Sequence, residues 1–222
     1  MINPSDIDLV AFLTRWHGAP QSDAQPMTDE ALRLPQPLRE WYGLASRWTK
    51  LTCGENRMVT PSEIHMDQGK FVFMKDATGD WVWAFGADDP DAVFEGIPGG
   101  ELDRVPESLP EFLKHATVIG TLMAADFRRL GDQVPNEALP SILAPMQEIS
   151  FGGWKWPDPG YRTFMSDNLI ASVGPAVDPA SPWLNRSGYS AVRIAGIDLE
   201  SLEYLDADTT VQWIQHLPDD EG

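Results

Sequence analysis

Cysteine, basic residues and long apolar runs are the scarce features of this 222-residue chain. A single cysteine, Cys53, excludes an internal disulfide framework and fits a reducing compartment. Sixteen Lys and Arg stand against 34 Asp and Glu, a net charge of −18 that would repel phosphates. Nucleic acid and anionic membranes are therefore not expected partners. No apolar run reaches membrane-spanning length, and the start, MINPSDIDLV, lacks the basic and apolar regions of a signal peptide. The expectation is a soluble cytoplasmic protein. Also missing are G-x-G-x-x-G, a Walker-type loop, G-x-S-x-G and H-E-x-x-H. His17, His65, His115 and His216 lie far apart, and only Lys50 and Arg57 are close enough in sequence to activate Cys53. No catalytic residue, metal or cofactor is expected.

What is present is aromatic and acidic. In FVFMKDATGDWVWAFGADDPD, residues 71–91, Phe71 and Phe73, then Trp81, Trp83 and Phe85, alternate with Val72, Met74, Val82 and Ala84. A period of two around a Gly-containing turn predicts a hairpin. A three-residue loop of Ala77, Thr78 and Gly79 would set Phe73 opposite Trp83 and Val72 opposite Ala84, with Gly79 at positive φ. Both faces are apolar, so the hairpin should lie inside a sheet covered on both sides.

Beyond it come Asp88, Asp89, Pro90 and Asp91, where no core can form. These carboxylates lack the sixth-position Gly and twelfth-position Glu of an EF-hand, so a solvated turn or a partner contact is expected. Asp88, Asp89, Asp91 and Glu95 are candidate steering charges for a basic partner. In WKWPDPG, residues 154–160, Trp154 and Trp156 are read mainly as packing residues and also as candidate interface anchors.

Elsewhere, Ser5 with Asp8 predicts an amphipathic helix to about Trp16, offering Ile7, Val10, either Leu13 or Ala11, and Trp16 to a core. Thr28 would cap a short helix ended by Pro35, and Pro37 would open a longer one bearing Leu38, Trp41, Tyr42, Ala45 and Trp48. Ser108 and Glu111 form a capping box. It opens a helix carrying Leu109, Phe112, Leu113, Ala116, Ile119, Met123 and Phe127, closed by Gly131, with His115 on its polar side. A helix around 139–149, strands at 161–165, 168–173 and 189–194, and a short helix at 199–205 complete the pattern. The prediction is one α+β domain over 1–222, its helices packed on a largely antiparallel central sheet. Residues 1–33 form a helical extension, and 218–222 an acidic tail.

Several of these segments resemble SUKH-superfamily domains, the cell-wall-assembly-regulator-like and bacterial immunity proteins, in an actinobacterial form. Leu34-Pro35-Gln36-Pro37-Leu38-Arg39-Glu40-Trp41-Tyr42 resembles their early Leu-Pro helix element, and Trp81-Val82-Trp83-Ala84 with the Asp-Asp-Pro loop their central hairpin. Ser108-Leu109-Pro110-Glu111-Phe112-Leu113 is similar to the helix after the sheet. Tyr161 to Phe164, Asn168 to Ala171, and Ser190 to Ala195 leading to Leu199–Leu205 are similar to the later strands and helix. The resemblance spans 34–205. It implies a SUKH-like core without catalytic motif, and an immunity protein that covers a basic, nuclease-type toxin. The alternatives are a scaffold or regulator of the same fold, or a small hydrolase using Cys53 or a histidine.

Overall fold

The structure, a computed structural model, describes residues 1–21, 29–48, 56–155 and 159–217. It is an α+β fold whose strands are all antiparallel. Thr28, Cys53, Trp156 and the 218–222 tail, each singled out in the sequence, lie outside the described residues.

A 3-10 turn at Pro4–Asp6, capped by Asn3, precedes helix α1 (Leu9–His17). The expected start at Ser5 moves because Asp8 is extended and caps α1, accepting from Val10 N at 2.8 Å and Ala11 N at 3.1 Å. Phe12 and Leu13 are buried, while Val10, expected inside, is exposed. Helix α2 (Gln36–Ala45) follows a 3-10 turn at Ala31–Arg33 and buries Leu38 and Trp41.

The first sheet contains β1 (Asn56–Met58), β2 (His65–Asp67), β3 (Lys70–Asp76), β4 (Val82–Gly86), β5 (Ala92–Gly96) and β6 (Asp103–Ser108). Its order is β1-β3-β4-β5-β6, with β2 also on β3. The β3–β4 hairpin is covered on both faces: Phe73, Trp83 and Phe85 join the main core, while Val72, Val82 and Ala84 pack with Leu102 beneath. Val72 pairs with Ala84 as expected, but a bulge then sets Met74, not Phe73, opposite Trp83. Bulging lets the consecutive side chains Phe73 and Met74 both reach the core. At the turn Gly79 has φ 81°, and its N–H donates to Asp76 O at 3.2 Å. Asp76 braces that turn, accepting from Thr78 Oγ1 at 2.7 Å and Trp81 N at 3.1 Å. Burial pushes the Asp76 carboxyl up, but these bonds outweigh it and hold the group below the ordinary aspartate value.

Helix α3 (Leu109–Ala124) opens with the expected capping box between Ser108 and Glu111. It ends at Ala124 and not near Gly131, because Ala125 is extended and the next residues form β7 (Phe127–Pro135). Short α4 (Leu139–Leu143) replaces the longer helix expected over 139–149. Then come β8 (Gln147–Glu148), β9 (Arg162–Met165), β10 (Leu169–Asp178), β11 (Ser181–Gly196), a 3-10 helix at Glu200–Ala207, and β12 (Ile214–His216). The second sheet runs β12-β7-β11-β10-β9-β8, so the described strands are divided between two six-stranded sheets.

α3 joins them. Leu109, Phe112, Leu113 and Ala116 pack against the first sheet's core, while Val118 and Leu122 pack with Phe12, Leu13, Ile170 and Ala195 from α1 and the second sheet. A helix buried on both sides explains why LPEFLKHATVIGTLMA carries so few charges.

Candidate functional site

The acidic loop lies between β4 and β5. Its backbone is tied down: Ala92 N donates to Asp89 O at 3.1 Å, and Leu109 N at the start of α3 donates to Asp91 O at 2.8 Å. The side chains of Asp88, Asp89 and Asp91 are exposed. Asp89 lies 3.7 Å from Arg104, but both are mostly in solvent, and such pairs contribute at most about 1 kcal/mol. The result is a fixed backbone presenting carboxylates to water.

Glu95, expected beside these charges at the surface, is instead buried, with 1% exposure. Its position on β5, opposite Trp83 on β4, turns it toward the core and away from the loop. There Oε1 accepts from Lys155 N at 2.8 Å and Oε2 from Trp81 Nε1 at 3.3 Å. A carboxylate so enclosed cannot steer a partner. Trp154 is likewise engaged inside: its ring stacks on Phe112 at 4.8 Å and lies 4.4 Å from His115 and 5.7 Å from Trp83. It serves as packing, which removes it as a free anchor.

A second buried carboxylate organises the same segment. Glu107 on β6 accepts at Oε1 from Gly152 N at 2.9 Å and Gly153 N at 3.3 Å, and pairs there with His115 Nδ1 at 2.8 Å. Its Oε2 accepts from Trp154 Nε1 at 2.9 Å. Burial pushes the Glu107 carboxyl up, but His115, Trp154 and the loop N–H groups outweigh it, leaving the group below the ordinary glutamate value. His115 Nε2 lies 3.4 Å from Thr163 Oγ1 on β9. Carboxylate, imidazole and hydroxyl in a row have the order of a hydrolytic triad. Here, however, Glu107, His115 and Thr163 are each less than a tenth exposed, and Phe151 stacks on the imidazole at 4.1 Å. In this arrangement the hydroxyl has no approach for a substrate, and the network clamps the 151–155 segment between the two sheets. Sequence reasoning placed His115 on a polar helix face; the sparse charge of α3 was the signal that both faces are covered.

The most exposed large aromatic among the described residues was not singled out by the sequence reading. Trp183 is 94% exposed on β11, with Leu184 beside it at 63% and Val177 on β10 at 45%. The base of this hairpin is braced by Arg186, whose Nη1 donates to Gln133 Oε1 at 2.8 Å while its guanidinium lies 3.7 Å from the Tyr189 ring. Gln133 Nε2 in turn donates to Val177 O at 2.7 Å. A period-two reading of the 168–173 and 189–194 strands ended before the arm, whose outward apolar residues follow no burial pattern.

Among the described residues, no group of three or more His, Cys, Asp or Glu is placed to hold a metal ion. Nor is any helix among them long and apolar enough to cross a membrane. Compared with models of known protein families, with curated proteins and with solved structures, the chain matches none.

Proposed function

We propose that this chain is a non-enzymatic protein-binding domain of SUKH type, an intracellular immunity protein that neutralises a basic, nuclease-type toxin by covering its active site. The observation that carries the reading is the loop of Asp88, Asp89 and Asp91, fixed in backbone and open to solvent, in a chain of net charge −18. Carboxylates held in place lose little freedom on pairing with a cationic surface, and a strongly negative molecule draws such a surface in by long-range attraction. Trp183, exposed on a braced hairpin, supplies the kind of aromatic anchor that dominates protein interfaces. The sequence resemblance contributes the toxin-neutralising role, while the acidic loop contributes the charge of the partner.

Co-purification from the native host tests the class: the expected outcome is recovery of a basic toxin domain whose activity the added protein abolishes. With that partner, replacing Asp88, Asp89 and Asp91 together by Asn should slow association roughly tenfold at low salt, with the difference fading at high ionic strength. An association rate indifferent to both salt and the three substitutions removes the steering role of the loop.

A further inference from the structure

Two buried polar side chains along one face of β7, one on the strand and one packed over it, have donors that the fold leaves unanswered. Arg129 is 2% exposed, yet its Nε and Nη1 have no hydrogen-bond partner, and it takes part in none of the ion pairs among the described residues. The indole Nε1 of Trp213 is also buried and unpartnered. The two side chains share a face. Arg129 pairs in register with Ile194 of β11, whose side chain belongs to the second sheet's core. Trp213 precedes β12, which pairs Ile214 with Leu130 and Gln215 with Arg129. Continuing that register sets Trp213 against Gly131, and a Cβ on Gly131 would meet the Trp213 ring at 3.2 Å. Arg129 and Gly131 are two positions apart on one strand, so the guanidinium and the indole are diagonal neighbours within side-chain reach. Trp213 also walls an open cavity of about 370 Å³ shared with Ser141, Ile142, Tyr204, Leu205 and Asp208.

A guanidinium stays charged at any physiological pH, and burying it without a counter-charge is strongly unfavourable. Both groups only donate: a guanidinium and an indole N–H have no lone pair to offer a ligand. Their complement is an acceptor, and the charge of the guanidinium favours an anionic one. We propose that Arg129 and Trp213 form a binding site for a small oxyanion, the carboxylate or phosphate head of a ligand, between β7 and the segment leading into β12. This site is independent of the acidic loop, and it runs against the net charge of the chain because the local donors outweigh a diffuse field screened over about 10 Å.

The test uses the full chain, followed by thermal melting and tryptophan fluorescence, with sodium phosphate and sodium acetate each titrated against sodium chloride at equal ionic strength. Saturable stabilisation beyond chloride by one oxyanion is expected, and which of the two acts identifies the head group. Trp213→Phe keeps the ring and removes the N–H, so it should weaken the apparent affinity about tenfold. Arg129→Met should abolish the response while the anion-free protein melts no lower than the parent. The proposal is overturned if phosphate and acetate act no differently from chloride, or if Trp213→Phe binds as tightly as the parent. It is equally overturned if Arg129→Met retains the saturable response, or if that variant melts well below the parent without anion.

Discussion

Glu107, itself buried, gathers four donors on two oxygens, from His115, Gly152, Gly153 and Trp154. An uncharged amide of the same shape can accept at only one atom and brings two donors of its own into a site already full of donors. Glu107→Gln should therefore cost about 3 kcal/mol of unfolding free energy, read from urea denaturation at neutral pH. The acid response follows from the direction of the Glu107 shift. Its carboxyl lies below the ordinary glutamate value in the fold, so its stabilising contribution is complete above the unfolded value, about 4.3. That contribution is lost as pH falls from there through the folded value. Stability measured between pH 6 and pH 3 should thus fall more steeply in the parent than in Glu107→Gln. Equal slopes would show that the carboxylate is not held in its charged form.

At the scale of elements, α3 was the most legible part of the chain, because its start is written in local chemistry. Ser108 N donates to Glu111 Oε2 at 3.0 Å, one half of the capping box that Ser-x-x-Glu ahead of an apolar run announces, and Ser108 Oγ donates to the same oxygen at 2.8 Å. Ser108→Ala should lower stability by about 1 kcal/mol, measured by thermal or urea unfolding, while Ser108→Thr, which keeps the hydroxyl that donates to Glu111, should retain most of it. The end of α3 was not legible. Met123 and Phe127 continue the helical spacing, but Phe127 to Pro135 pair with β11, and a long-range ladder leaves no mark in a period of three and four. The hairpin register shows the same limit. With both faces of β3 apolar, alternation could not distinguish Phe73 from Met74 as the partner of Trp83. Glu95 is the costliest case for function: nothing in its sequence neighbourhood distinguishes an acid that faces a partner from one that accepts two buried N–H groups.

For the molecule as a whole, composition and segment order gave α+β, and the structure agrees. What they could not give was the division of the strands into two sheets, which depends on α3 burying apolar side chains on two sides and lying between them. Because α3 supplies core side chains to one face of each sheet, both sheets lose the packing of that face once the helix leaves. Unfolding in urea should accordingly be a single transition, coincident by near-ultraviolet circular dichroism and by tryptophan fluorescence. Phe112→Ala, a substitution on the first sheet's side worth about 3–5 kcal/mol, should lower hydrogen-exchange protection in β10 and β11 as well as in β4 and β5. Protection lost from the first sheet alone would mean that the halves are independent.

The clamp on 152–155 carries a consequence for how the chain can change length. Connecting segments ordinarily absorb inserted residues because their backbone groups can turn to water. Here three backbone N–H groups, of Gly152, Gly153 and Lys155, end on buried carboxylates that lie on different strands. One added residue shifts the register of those N–H groups and strands an acid inside the molecule. This stretch has the look of a loop and the tolerance of a core strand, whereas the exposed β10–β11 arm is where extra residues could be accepted.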